Sequence, residues 1–433
     1  MINAVLCVDI GTTSLKAGLI TEEGEVVSVA SAKILANDEE KSFIANKWMT
    51  AFNCAVKKVF AGISSFSKDL HDEIINLCAL SISGNGPTVV TQNSRTELWN
   101  EDHSQGQNLM QQLTEAANIP SYSLFIPKIL TLKSKFPSDF SSAEYIFSGP
   151  EYLIYELTGN AVTILPEERF VSAYWNDDIL KACKIPVEKM PPYYKYSQSY
   201  GKLKSEYLEH LKKNISKCFT VKECADNGEK SGMNVCADNG AFSSAESKAC
   251  KSNSGKKIEI SIPNKLNVFG AGPDFIAALI GTNTLKPGRI CDRSGSSEGL
   301  NYCVPVCVRY YGIRSLPSVI PGLWNVSVLI PRSGKLNENK RIYAVKDAVR
   351  TLRAIAKQYG FIFPERLFVT GGQTRNTGYM KRKRNELGMD LSIANCDDAE
   401  LLGDACVAFY ALGKYKSLQE AAEKIVHEKS FTL

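Results

Sequence analysis

Apolar residues run from Ala4 to Val8 and again from Ala17 to Ile20, with a turn of small polar residues between them. Short continuous apolar runs bounded by turn residues predict buried strands. Glu22-Glu23-Gly24-Glu25 then turns the chain into a third run, Val26 to Ala30, and strands joined by such short turns pair antiparallel. The period changes next: Met49, Phe52, Val56, Val59 or Phe60, and Ile63 recur every three or four residues, which predicts an amphipathic helix. Ile74 to Ser83 returns to a buried-strand pattern.

Strand, strand, strand, helix, strand is the order of a ribonuclease-H-like domain, a mixed sheet flanked by helices. Further on, Pro127 leads a helix, and a second helix spans about Pro150 to Leu157, with Ser148 as its cap and Gly159 as its stop. Residues 176–183 predict a short helix capped by Asn176, and residues 186–200, rich in Pro and Tyr, predict irregular connecting structure. From about Ser216 to Lys257 large apolar residues become scarce, and Cys-Ala-Asp-Asn-Gly occurs twice, at 224–228 and 236–240. A duplicated polar segment of this kind predicts a surface loop expansion, and it closes the first domain. The C-terminal half predicts a helix over Phe275 to Gly281, an amphipathic helix over 341–359 stopped by Gly360, a strand over Leu367 to Thr370, a long helix from Asp398 to Leu412, and a last helix opened by the capping box Ser417 to Glu420. The expected division is 1–262 and 263–433, the polar insertion (about 216–257) belonging to the first part.

Composition narrows the function classes. The chain of 433 residues suggests two or three domains, and 44% hydrophobic with 22% charged residues is ordinary globular composition. A net charge of +5 from 51 basic and 46 acidic residues is too balanced for nucleic acid or an anionic membrane surface as main partner. The basic run Lys381-Arg382-Lys383-Arg384 reads as a solvated helix face. No secretory signal and no apolar run of membrane-spanning length is present. The 13 cysteines, several inside apolar runs (Cys7, Cys78, Cys291), fit reduced thiols in a cytoplasmic protein, and the spacing of Cys218, Cys224, Cys236 and Cys250 matches no common zinc pattern. The four histidines, His71, His103, His210 and His427, lie in no site-like context, so a general base would be a carboxylate.

The turn between the first two strands is Asp9-Ile10-Gly11-Thr12-Thr13-Ser14-Leu15-Lys16. Backbone N–H groups of Gly11, Thr12 and Thr13 and their hydroxyls can close around phosphate oxygens, Lys16 can neutralise a phosphate, and Asp9 can hold Mg²⁺ directly or through water. It is not a Walker A loop, and an ordinary polar hairpin turn is the competing reading. Asn85, in the break after the buried strand, can hydrogen-bond a small polar ligand or be a simple turn residue. Trp99, beside Asn100, Glu101 and Asp102, offers an apolar platform for a sugar face with polar groups for its hydroxyls; a core Trp with solvated neighbours is the alternative. Asp274 follows Gly270-Ala271-Gly272-Pro273 at the start of an apolar helix, where a positioned carboxylate can accept a proton from an attacking alcohol; an Asp placed only for helix capping is the alternative. Gly295-Ser296-Ser297 repeats the opening theme between two apolar runs, and Gly371-Gly372-Gln373 ends a strand where a base or ribose could approach the backbone.

Together these segments resemble the FGGY carbohydrate kinases, a branch of the actin, hexokinase and Hsp70 ATPase superfamily. Asp9 to Lys16 is similar to the family's first phosphate motif, Ser81 to Asn85 and Leu98-Trp99-Asn100 to its sugar-side segments, Gly295-Ser296-Ser297 to its second phosphate motif, and Gly371-Gly372-Gln373 with Ala399 to Ala405 to its adenosine-side segments. The resemblance implies an α/β fold of two ribonuclease-H-like, actin-like ATPase domains around a cleft. It implies ATP and Mg²⁺ as cofactors, a small sugar or polyol as substrate, Asp274 as catalytic base, and a cytoplasmic chain acting alone or as a homodimer. Gly86-Pro87 stands where many members carry a substrate-contacting Met-His or Arg-Glu pair, and residues 310–340 look reduced. These departures leave a second reading open, a catalytically weak sensor of nucleotide or sugar.

Overall fold

The computed structural model describes residues 1–37, 40–63, 74–217, 219–224, 259–295 and 297–431. The duplicated pentapeptides, all of the second copy and most of the first, lie outside them, as does Ser296.

Two mixed sheets carry the fold, and each repeats one strand order. In the first, Ile2–Ile10, Ser14–Thr21 and Val26–Lys33 form an antiparallel meander, and Ile74–Gly84 and then Asn267–Pro273 join parallel on the other side of Ile2–Ile10. In the second, Ile290–Ser294, Glu298–Val304 and Trp324–Ile330 form the meander, followed by parallel Arg366–Thr370 and Asp390–Ala394. The order third-second-first-fourth-fifth thus occurs twice, the duplicated ribonuclease-H-like arrangement that the apolar runs predicted for the first half. The first sheet includes Glu259–Pro263 and Asn267–Pro273, so the expected boundary at 262/263 falls inside it. The polar composition from residue 216 also hid an element: Thr220–Cys224 is a strand paired parallel with Glu259–Pro263.

Parallel pairing decides where the chemistry lies. Asp9 stands opposite Ser83, Ile10 opposite Gly84, and Pro273 opposite Gly84. The carboxyl ends of three neighbouring strands therefore deliver Asp9, Asn85 and Asp274 to one edge. In the second sheet Arg293 stands opposite Thr370, so Gly295 and Gly371 leave their strands side by side.

The larger core fills the first sheet's faces and extends into helices Asp274–Gly281, Ala399–Ala411 and Leu418–Ile425 of the C-terminal half. The smaller core lies between the second sheet and the helices Glu338–Tyr359 and Thr377–Leu387. Helices Asp274–Gly281 and Ala399–Ala411 cross in near backbone contact: a Cβ on Gly281 would come 1.7 Å from the Ala399 carbonyl, and one on Gly403 2.0 Å from that of Ala277. The Ala399 to Ala405 stretch, expected beside adenosine, is buried in this crossing. Among the described residues the cysteines are free, and no helix is long and apolar enough to cross a membrane.

Candidate active site

The first hairpin is a closed turn. Gly11 N–H donates to the Ser14 carbonyl at 2.9 Å, and a Cβ on Gly11 would meet that oxygen at 2.7 Å, which explains the glycine. Asp9 and Lys16 are cross-strand partners on either side of it. Lys16 Nζ lies 3.6 Å from Asp9 and 2.9 Å from Asp398 at the start of helix Ala399–Ala411. Burial works against the Lys16 charge, but Glu400, Asp9 and Asp398 outweigh it and hold the ammonium protonated. Asp9 is buried, and desolvation pushes its carboxyl up to about 7 against the pull of Lys16, with Glu400, Asp274 and Asp398 pushing the same way as burial. Thr12 is tied sideways, since its hydroxyl accepts the indole N–H of Trp99 at 3.1 Å. Thr13 is exposed, and its carbonyl accepts from Ile34 N–H.

Asp274 opens its helix directly from the first sheet. One carboxylate oxygen accepts the Phe275 N–H at 2.7 Å and the other accepts from Arg293 Nη1 at 3.2 Å. Arg293 comes from the second sheet, one residue before Ser294 and the Gly295 turn. Burial opposes its charge, yet Asp274, Glu400 and Asp9 raise its basicity, so the guanidinium sits among three carboxylates. Sequence reasoning assigned Arg293 no role; a lone Arg at the end of an apolar strand, next to a Gly-Ser turn, was the available signal. Asp398 and Glu400 were missed as well, because their helix reads as apolar packing. Glu400 is buried, with one carboxylate oxygen lacking a hydrogen-bond partner among the described residues.

The second hairpin closes through Gly295 N–H to the Ser297 carbonyl at 2.9 Å, and the Ser297 hydroxyl accepts from Arg332 N–H at 3.2 Å. The adjacent Gly371 has φ +91°, and a Cβ there would fall 1.9 Å from the Ser294 carbonyl. Only glycine fits, for two reasons at once. Gly372 has open space where its Cβ would be, the room a ligand needs to approach the backbone. Gln373, expected beside nucleotide, is buried, and its amide is committed to Lys383 and Glu298 behind the turn.

Lys383 corrects the reading of its basic run. It is fully buried, pairing with Asp292 and donating to Glu298 at 3.1 Å and Gln373 at 2.9 Å, while Arg341 Nε donates to Glu298 at 2.6 Å. Burial would raise the Glu298 carboxyl, but Lys383 and Arg341 bring it below its usual value; burial and Glu298 push Asp292 up to about 7. One ammonium thus joins both strands of the second hairpin to the Gly371 turn.

On the opposite side Asn85 is buried. Its N–H donates to the Ile10 carbonyl at 2.6 Å, its side-chain oxygen accepts from Thr88 at 2.7 Å, and its side-chain nitrogen has no partner among the described residues. Trp99 is half-buried and Asn100 exposed. The tertiary structure therefore gathers Asp9, Lys16, Asp274, Arg293, Asp398 and Glu400, places the two glycine turns beside them, and links Trp99 to the first turn. Around Asp9 the carboxylates of Asp274, Asp398 and Glu400 outnumber the cations Lys16 and Arg293, and the Ser83 hydroxyl lies 3.5 Å away; these hard oxygen donors suit a divalent cation that keeps most of its waters. Among the described residues no group of three or more His, Cys, Asp and Glu side chains forms a ready-made metal cage.

Residues 4–216 match the N-terminal domain of the FGGY family of carbohydrate kinases. The chain is 24% identical to a xylulose kinase of Lactococcus lactis, over 98% of this chain and 91% of that one. A ligand-bound xylulose kinase structure from Lactobacillus acidophilus superposes with a TM-score of 0.66 at 14% identity, covering 99% of this chain and 93% of that one. A glycerol kinase structure from Plasmodium falciparum with ADP gives 0.65 at 13% identity, covering 98% and 92%.

Proposed function

We propose, from the premise that this chain belongs to the FGGY family of carbohydrate kinases, that it transfers the γ-phosphoryl group of ATP to a hydroxyl of a small sugar or polyol. The observation that carries this reading is Asp274, fixed by the Phe275 N–H and Arg293 within electrostatic reach of Asp9. Asp274 would accept the proton of the attacking hydroxyl as the new oxygen–phosphorus bond forms. The bond from the γ-phosphorus to the bridging oxygen breaks, and ADP leaves. Both carboxylate oxygens of Asp274 already have donors, so its orientation costs no reorganisation at the moment of transfer. Lys16 and the N–H groups of Gly11, Thr12 and Thr13 would hold phosphate from the first sheet, and Gly295, Ser296 and Ser297 from the second. Gly371 and Gly372 would admit the nucleoside, with Gln373 as their support. Asn85, Trp99 and Asn100 would face the acceptor, the free nitrogen of Asn85 being a donor for a hydroxyl. Mg²⁺, held at Asp9 with Asp398 and Glu400 nearby, would supply charge neutralisation for the phosphates. Reduced thiols and ATP both fit a cytoplasmic setting.

The test is ADP release from Mg-ATP across ketoses, aldoses and polyols. An active acceptor should lose about 10²–10⁴-fold in kcat when Asp274 becomes Asn, with ATP binding kept. Equal turnover in Asp274→Asn would remove the assigned role.

A further inference from the structure

Trp99 donates two hydrogen bonds. Its indole N–H goes to the Thr12 hydroxyl in the Gly11 turn at 3.1 Å, and its main-chain N–H goes to Thr88 Oγ1 at 3.2 Å. The turn that carries Trp99 is braced, since the Leu98 carbonyl accepts from Glu101 N–H at 3.3 Å and lies 2.9 Å from His103 Nε2. Thr88 is fully buried, and its own proton goes to Asn85 Oδ1 at 2.7 Å. Thr12, Trp99, Thr88 and Asn85 thus form one hydrogen-bonded chain.

Proton count fixes the direction of that chain. A hydroxyl has one proton to give. The Thr88 oxygen is engaged by the Trp99 N–H, and among the described residues Asn85 Oδ1 is the acceptor for its proton. Turning the Asn85 amide over would set an NH2 group against the hydroxyl and leave a buried proton without an acceptor, which is costly. The amide oxygen therefore faces Thr88, and the NH2 group points away from it. Asn85 Nδ2 is buried and has no partner among the described residues. Its neighbours belong to the site. Gly86 packs on Pro273, the residue before Asp274, so closely that a Cβ would come 3.0 Å from Pro273 Cβ. Gly149 packs on the same side chain, a Cβ there falling 3.5 Å from Asn85 Oδ1.

We propose that Thr88 is a positioning residue of this kinase, acting through Asn85: it holds the amide so that the NH2 group, and not the amide oxygen, meets an oxygen of the acceptor. The proposal rests on the kinase reading above and adds what sets the polarity of the acceptor site. A buried donor without a partner is costly, and the acceptor oxygen supplies the partner. Because Trp99 is anchored on Thr12, the same chain ties the place of that donor to the turn proposed to hold phosphate.

The full-length chain with Mg-ATP should be offered D-xylulose, D-ribulose, D-glucose and glycerol, and the best acceptor used for the variants. Thr88→Val keeps the shape of the side chain and loses the hydroxyl. It should raise KM for the acceptor about tenfold or more, with a smaller change in kcat and with KM for ATP within about twofold of the parent. Thr88→Ser keeps the hydroxyl and should recover most of the loss. A threonine needed only for packing gives the opposite order, since Val fills its space and Ser does not. Asn85→Asp still accepts from Thr88 but offers no donor, so its KM should rise at least as much. In that background Thr88→Val should add less than about twofold, because the donor through which it acts is gone. ATP titration calorimetry on the same chains reports that they are folded. An unchanged acceptor KM in Thr88→Val, no recovery in Thr88→Ser, or a full further loss in the double variant would overturn the proposal. If no probe turns over, calorimetry of the same sugars on the parent, Thr88→Val and Thr88→Ser separates this proposal from the kinase reading. Binding weakened by Val and recovered by Ser upholds the role of Thr88 although phosphoryl transfer fails; binding that Val leaves unchanged, or no binding at all, overturns it.

Discussion

At the scale of single residues, Asp9 ties the site to pH. Its carboxyl is raised from 3.8 to about 7, first by burial and then by Glu400, Asp274 and Asp398, against the attraction of Lys16. The folded state holds that proton more tightly than the unfolded chain does. The group therefore favours folding below about pH 4, and the contribution is lost as pH rises through about 7. Asp9→Asn removes the charge that causes the loss, so in metal-free buffer the variant should gain in melting temperature over the parent on going from pH 5 to pH 8. Parallel melting curves at both pH values would contradict the assignment. In the parent, Mg²⁺-dependent ATP binding should weaken as pH falls below about 7, and in Asp9→Asn it should be weak throughout. Asp9 was readable from sequence because a carboxylate interrupting an apolar strand is conspicuous. Lys383 was not: four basic residues in a row look alike, and only the helix's orientation buries one of them against Asp292 and Glu298.

At the scale of elements, the decisive pieces are turns. The Gly371 turn is pressed against the strand Ile290–Ser294 so closely that the expected outcome for Gly371→Ala is severe. The positive φ alone costs on the order of 1–2 kcal/mol, and the overlap with the Ser294 carbonyl adds displacement of the second hairpin. KM for ATP should rise well before the protein loses its fold, whereas Gly372→Ala, with free space around it, should leave thermal stability nearly unchanged. Equal melting temperatures for Gly371→Ala and the parent would refute the close packing. The glycines themselves were legible as turn signals. Their different roles were not, since the distinction depends on a strand contributed 77 residues earlier, between Ser294 and Gly371.

At the scale of the whole molecule, helices Asp274–Gly281 and Ala399–Ala411 belong to the C-terminal half in sequence yet pack into the core of the first sheet. Asp404, fully buried in the second of them, accepts from Ser83 Oγ at 2.7 Å and Ala271 N–H at 3.2 Å, fixing the helix to two strands beside Asp9 and Asp274. One outer contact between the halves runs through Arg169. Arg169→Ala removes three hydrogen bonds to carbonyls of residues 318–323 and the cation over Trp324. It should lower kcat/KM for the acceptor about tenfold or more while ATP affinity stays near the parent value, because the lost contacts lie away from both glycine turns. A loss confined to ATP affinity would show that this contact serves the nucleotide side instead.

The sequence by itself determined the first meander and its helix, the long amphipathic helices, the glycine turns and the carboxylate that opens helix Asp274–Gly281. All of these are local patterns: apolar period, turn residues, and one charge placed where a strand ends. The tertiary structure decided what those patterns face. Parallel pairing brought the ends of strands Ile2–Ile10, Ile74–Gly84 and Asn267–Pro273 to one edge, and so put Asp9, Asn85 and Asp274 together. The second sheet brought Arg293 to Asp274, and a packing helix brought Asp398 and Glu400 toward Asp9.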